Sequence, residues 1–284
     1  MIRTRKKKGR RTRRQRGGAY DLPKKAWAFW DSETPPKSIA AILKHRPAKM
    51  PGWETIQLSQ KTINQYIDPA TYPVGFDALQ PQHKADWIRL SLLEQYGGVW
   101  LDAGIIVNNV GKVDTIYQRM ITEKQEAALF FLNHHGYKDS VPLYIDNWFI
   151  MAPKGSPLIQ SWKKEFEVAI NLGLVEYKKQ HLINTRMTYV MFNEHLGDVY
   201  LVCQAILQKI LQEAQSKPRV LYLDPGENMF KLHATCAGRA NRNPDENSKC
   251  VQNMLLTDPI AKKLPYIKLR GPNRDNLNLN SYFT

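Results

Sequence analysis

Apolar positions fall into short blocks from about residue 25 onward, and the spacing of the blocks already outlines a fold. Lys25-Ala-Trp-Ala-Phe-Trp30 is an aromatic run closed by the polar, proline-stiffened stretch Asp31 to Pro36, which predicts a buried strand running into a loop. Ser38 to His45 reads as a helix and Trp53 to Leu58 as a second strand, and strand, helix, strand at this spacing favours an α/β sheet. His83 to Tyr96 is the clearest helical segment: neither Gly nor Pro interrupts it, Pro81 stands at its entry and Gly97-Gly98 stops it. Val99 to Val107 follows as one apolar, strand-like run interrupted by a single carboxylate, Asp102. Further strands are expected at Ala127 to Leu132 and Asn147 to Ala152, where Trp148, Phe149 and Ile150 read as core. A helix is expected at Pro157 to Leu172, and a mostly helical stretch at Thr188 to Gln215, broken near Gly197. From Lys217 to the end only Val220 to Leu223 and Tyr266 to Leu269 look strand-like, so 217–284 is expected to be irregular.

Charge changes this picture at one end. The formal net charge of the 284 residues is +15, yet residues 1–16 hold 10 basic residues and no acidic one, so the rest, with 31 basic against 26 acidic, carries only +5. Such a segment has nothing to bury, and residues 1–18 are expected to form a solvated basic arm ahead of a single domain over 19–284. The arm would attract any polyanion in a salt-dependent way. It has no aromatic residue for base stacking and the body has no nucleic-acid module, so nucleic acid is not the expected partner; an anionic membrane surface suits residues 1–16 equally well. No run approaches 18 apolar residues, and Gly17-Gly18-Ala19-Tyr20-Asp21 stands where a signal peptide needs an apolar stretch. The expected location is therefore cytoplasmic, or peripheral at a membrane surface. Cys203, Cys236 and Cys250 are odd in number and show no zinc-like spacing, which reads as three buried thiols in a reduced compartment.

Asp102 is the most informative residue. A carboxylate buried in an apolar strand without a partner costs several kcal/mol, so it is expected at the strand's end, facing a cation or a cleft, and is a candidate metal ligand. Asp86 and Arg89 share one helix face, where they can simply pair or can face the same cleft as Asp102. Asp146, beside Asn147, is a second cleft candidate. Asp224 and His233 are conceivable extra ligands but lack a local motif, and His134-His135 reads as surface loop. Gly97-Gly98 ends a helix and so is no phosphate cradle.

The segment His83-Lys-Ala-Asp-Trp-Ile-Arg-Leu-Ser-Leu-Leu-Glu-Gln-Tyr-Gly-Gly-Val-Trp-Leu-Asp-Ala103 resembles the hallmark of the capsular polysaccharide synthesis proteins and the related family 32 glycosyltransferases, of the form Ser-Asp-x-x-Arg, helix, Gly-Gly-x-Tyr/Trp-x-Asp-x-Asp. Lys25 to Pro36 and Asn147-Trp-Phe-Ile-Met-Ala-Pro-Lys-Gly-Ser-Pro157 are similar to two further stretches of that family, and Ile267-Lys-Leu269 is a faint later echo. The resemblance implies a GT-A-like α/β fold with a mostly parallel central sheet, and transfer of a hexosyl unit from a UDP- or GDP-sugar to a saccharide hydroxyl with retention of configuration. It implies that Asp102 binds Mn²⁺ or Mg²⁺, that Asp86, Arg89 and Asn147 contact the donor, that Trp30 stacks on the base, and that 217–284 completes the acceptor side. One departure stands out: the second motif carboxylate is replaced by Gly104, which offers only backbone. Two other functions therefore stay open, an inactive glycosyltransferase-like protein and a polyanion-binding protein acting through the arm.

Overall fold

The computed structural model describes residues 20–131, 137–138, 140–142, 144–183, 199–224, 236, 244–269, 274 and 277–283. The basic arm, His134-His135, His233 and the first part of the expected Thr188 to Gln215 helix lie outside these residues. The chain runs through β1 (Lys25–Phe29), α1 (Lys37–Lys49), β2 (Glu54–Leu58), α2 (Pro81–Tyr96), β3 (Gly98–Leu101), β4 (Ile105–Val107), α3 (Val110–Glu123) and β5 (Ala127–Phe131). It continues through a small hairpin of β6 (Tyr137–Lys138) and β7 (Val141–Pro142), then β8 (Ile145–Ala152), α4 (Pro157–Leu172), α5 (Leu174–Tyr177), α6 (Val202–Glu213), β9 (Val220–Leu223) and β10 (Tyr266–Lys268).

Six strands form the central sheet in the order β2-β1-β3-β8-β5-β9. β1 pairs parallel with β2 and β3, β5 pairs parallel with β9, and β8 runs antiparallel to both β3 and β5. The sheet is thus mostly parallel and α/β, as expected. Its strands are apolar throughout because both faces are covered. Trp27, Trp100, Trp162 and Phe166 pack with α2, α4 and α6 on one face, while Val99, Trp148, Val113 and Met120 pack with α3 on the other. Trp148, Phe149 and Ile150 are fully buried core, as the sequence suggests.

The Gly-Gly break is forced by close approach. Gly97 and Gly98 have φ of 69° and 105°; a Cβ on Gly98 would overlap Lys25 O, and one on Gly97 would lie 2.6 Å from Lys154 N. Only glycine lets α2 turn directly into β3 alongside β1. Trp27 Nε1 closes the joint by donating to Gly97 O at 2.9 Å.

Several expectations need correction. Val99 to Val107 is two strands, not one: the chain turns at Asp102–Gly104, and β4 leaves the central sheet to pair antiparallel with β10, Ile106 opposite Ile267. α3 has no counterpart among the elements expected from the sequence; Asn109 caps it by accepting from Gly111 N at 2.9 Å, and Val113, Ile116 and Met120 form its buried stripe. The first expected helix runs past His45 to Lys49 and contains Pro47. Pro47 has no N–H to give Leu43 O, and the Gln57 side chain donates to that carbonyl in its place. The C-terminal part is more regular than expected, with helices at Pro244–Thr257 and Pro259–Lys263. They belong to a third core cluster that joins Ile39 and Ile42 of α1 to Val251, Leu255, Ile267 and Tyr282. Asn108 ties this cluster to β4, donating to Ala261 O at 3.1 Å and Leu264 O at 3.0 Å. Two of the three cysteines are not free thiols: Cys236 and Cys250 form a disulfide across 14 residues, a separation that matches no motif, and only Cys203 is a buried thiol. Among the described residues no helix is long and apolar enough to cross a membrane.

Candidate active site

The C-terminal ends of β1 and β3 and the start of the antiparallel β8 meet at one edge of the sheet, the place where open α/β sheets form their ligand crevices. A cavity of about 660 Å³ opens there. Its walls come from Trp30 and Asp31 after β1, Asp86 and Arg89 of α2, Trp100 and Asp102–Ile105 around the β3 turn, and Asp146 and Asn147 of β8. Tyr200 and Gln204 at the start of α6, Lys268 at the end of β10, and Leu269 and Arg274 after it also line it. Asp102, Asp86, Arg89, Trp30 and Asn147, which the sequence singled out for donor or metal binding, all line this one cavity, as does Asp146. Asp224, at the end of β9, does not.

Asp86 and Arg89 do pair, Nη1 to Oδ1 at 3.2 Å, and both are buried. The pair is part of a larger network. Arg89 Nη1 donates to Asn147 O at 2.8 Å and Nη2 to Asp102 Oδ1 at 3.3 Å, so one guanidinium spans both carboxylates. Asn147 Nδ2 donates to Asp86 Oδ1 at 2.8 Å, Gln204 Nε2 donates to Asn147 Oδ1 at 3.2 Å, and His83 Nδ1 lies 3.4 Å from Asp86 Oδ2. Burial by itself would lower the Arg89 pKa, but Asp86, Asp102 and weaker neighbours outweigh it and hold the guanidinium above its ordinary value. Arg89 also lies 5.0 Å from the Trp100 ring centroid, and Trp100 Nε1 donates to Asp102 Oδ1 at 2.8 Å. The Asp102 side chain is 32% exposed, so its second oxygen can be reached from the cavity.

Arg46 is the residue that sequence reasoning missed most completely. It is 3% exposed and reaches from α1 into the β3–β4 turn, donating to Leu101 O (3.3 Å), Asp102 O (2.9 Å), Ala103 O (3.3 Å) and Ile105 O (3.0 Å). Burial pushes its pKa down to about 10 against the pull of Asp102. Nothing in His45-Arg46-Pro47 marks it in the sequence. Lys268, whose Nζ is 3.7 Å from Asp146 Oδ2, falls in the Ile267-Lys-Leu269 echo and could have been found there; Arg274 carried no signal.

These residues do not make a cage for a divalent ion. In the Asp-Ala-Gly turn, Asp102 O already accepts from Arg46 and Ile105 N, Ala103 O from Arg46, and Gly104 O from Leu269 N at 3.2 Å. Asp102 Oδ1 accepts from Trp100 and Arg89, which leaves Oδ2 as the turn's one remaining side-chain donor atom. Among the described residues no group of three His, Cys, Asp or Glu side chains stands at metal-ligating distance.

Residues 5–233 match the family described as "Capsular polysaccharide synthesis protein". Similar curated proteins include the "O-glycosyltransferase braB" of Annulohypoxylon truncatum, 28% identical over 51% of this chain and 37% of that protein. The "Glycosyltransferase afumC" of Aspergillus fumigatus is 29% identical over 49% and 39%, respectively. The chain thus spans well under half the length of these relatives. A solved glycosyltransferase involved in the glycosylation of the major capsid of PBCV-1 overlaps 88% of this chain and 96% of its own, at 12% identity and a TM-score of 0.42.

Proposed function

The chain belongs to the capsular polysaccharide synthesis protein family, and from that premise we propose that it is a glycosyltransferase moving a hexosyl unit from a UDP- or GDP-sugar to a saccharide hydroxyl. The observation that carries the reading is the single cavity in which Asp102, the Asp86–Arg89 pair, Asn147 and Trp30 converge at the ends of β1 and β3 and the start of β8. The names of the relatives as glycosyltransferases support it.

In this reading Trp30 faces the base, and Asp102 Oδ2 accepts hydrogen bonds from hydroxyls of the donor hexose. Asp86 and Arg89 form the wall behind the hexose, and Arg89 holds Asp102 in place. As the anomeric C–O bond to the diphosphate breaks, negative charge collects on the departing phosphate, and preorganised cations at the cavity wall stabilise it. The acceptor oxygen bonds to the anomeric carbon, and its proton passes to the phosphate oxygen that leaves. The family resemblance implies retention, and the anomer of the product, read by proton NMR, checks it. No step is assigned to a divalent ion, for which the motif turn leaves only Asp102 Oδ2.

The test is release of UDP or GDP from a panel of nucleotide hexoses by the full chain, with Mn²⁺ and separately with EDTA. Turnover of at least one donor is expected. A protein that neither binds nor cleaves any of them is the inactive relative instead.

We also propose that residues 1–16 tether the enzyme to an anionic membrane surface, since each Lys or Arg near such a surface contributes about 1 kcal/mol. Deleting them should leave turnover on a soluble acceptor unchanged and remove salt-sensitive sedimentation with phosphatidylserine vesicles. Loss of turnover, or vesicle binding that persists, would defeat the idea.

A further inference from the structure

The motif turn, which offers a metal ion only Asp102 Oδ2, abuts an arginine of the C-terminal part. Gly104 takes the place of the family's second carboxylate, and a Cβ built there would lie 3.3 Å from Arg274 Cδ and 3.6 Å from Arg274 Nη1. A carboxylate at 104 and the Arg274 side chain would therefore compete for one space. Arg274 lies over Trp30, with its guanidinium carbon 4.8 Å from the ring centroid, and both residues line the cavity. We propose that the Arg274 guanidinium takes the electrostatic place of the divalent ion and holds the diphosphate of the donor directly, so that donor binding is metal-independent; this rests on the nucleotide-sugar reading above.

Charge placement supports the assignment. The cavity wall carries four carboxylates, Asp31, Asp86, Asp102 and Asp146, and Arg89 is engaged by Asp86 and Asp102. A pyrophosphate entering among them needs positive charge beyond that of Arg89, and Arg274, beside Gly104, and Lys268 line the same cavity. Guanidinium suits this task better than ammonium, because its planar fork meets two phosphate oxygens at once and stacks on an aromatic face as it does here on Trp30. The small residue at 104 fits this arrangement, since a Cβ there would already press to 3.3 Å on Arg274 Cδ.

Calorimetric titration of the full chain with UDP and with GDP, in EDTA and in excess MnCl₂, tests the proposal. At least one nucleotide should bind with about the same Kd in both buffers. Arg274→Gln, which keeps the stem over Trp30 but loses the charge, should weaken binding by about tenfold or more, and Mn²⁺ should not restore it. Arg274→Lys should recover only part of the loss. Installing the missing carboxylate beside the vacated space, in the double variant Gly104→Asp/Arg274→Ala, should make binding depend on Mn²⁺. Binding by the unaltered chain that appears only with Mn²⁺, or undiminished affinity in Arg274→Gln, would overturn the proposal while leaving the glycosyltransferase reading intact. Failure of both nucleotides in both buffers would instead overturn the nucleotide-sugar reading, and this proposal with it.

Discussion

Arg46→Met is expected to cost the fold about 2–4 kcal/mol and to lower the thermal midpoint by about 5–15 °C. The substitution leaves the carbonyls of Leu101, Asp102, Ala103 and Ile105 without the donor that now joins them in the buried turn. Asp102 O keeps its bond from Ile105 N, whereas a buried carbonyl left unsatisfied costs about 1–3 kcal/mol, and the loss is partly offset because the buried guanidinium, whose pKa burial depresses to about 10, no longer has to be desolvated. Turnover should fall as well, since a misplacement of the Asp102 carboxylate by about 1 Å can cost about a hundredfold. Arg46→Lys should retain part of the stability, because an ammonium can serve some of the carbonyls but not all four. Thermal unfolding followed by circular dichroism, together with donor turnover, measures both effects. A midpoint close to that of the unaltered protein would mean that the turn holds its shape without Arg46.

Asp102→Asn is expected to do the opposite: turnover falls by about 10²–10³ while the thermal midpoint stays within a few degrees. The amide keeps an oxygen in position to accept from Trp100 Nε1, now 2.8 Å from Oδ1, and keeps the side-chain volume. It removes the negative charge that Arg89 faces at 3.3 Å and replaces the cavity-facing oxygen by a donor, which reverses the hydrogen bonding offered to a sugar hydroxyl. Asp86 still pairs with Arg89 at 3.2 Å, so the guanidinium is not left without a counter-charge. Steady-state kinetics with the preferred donor decide the matter. Wild-type turnover in this variant would reduce Asp102 to a structural partner of Arg89 and Trp100.

The sequence by itself determined what depends on neighbours along the chain. Periodicity placed β1, β2, α2, α4 and β9 within a few residues of their observed ends. The spacing of Asp86 and Arg89 put them on one helix face, and Gly97-Gly98 marked the break that sends α2 into β3. Because that break is tight, one stretch of about twenty residues necessarily carries Asp86, Arg89 and Asp102 to the same edge of the sheet, and so the heart of the site was legible. The apolar run Val99 to Val107 could not reveal its own turn, since its residues are buried in both of the strands it forms and hydrophobicity alone does not separate them. What braces the turn there is Arg46, which lies 56 positions from Asp102 and is brought to it by the tertiary structure. Arg274 and the Cys236–Cys250 disulfide belong to the same class: each depends on long-range pairing, of β10 with β4 or of the C-terminal helices with α1, for which no local pattern exists. Local backbone preference and burial pattern are properties of short segments, whereas the charges that face one another across a cavity are set by which segments the tertiary structure brings together.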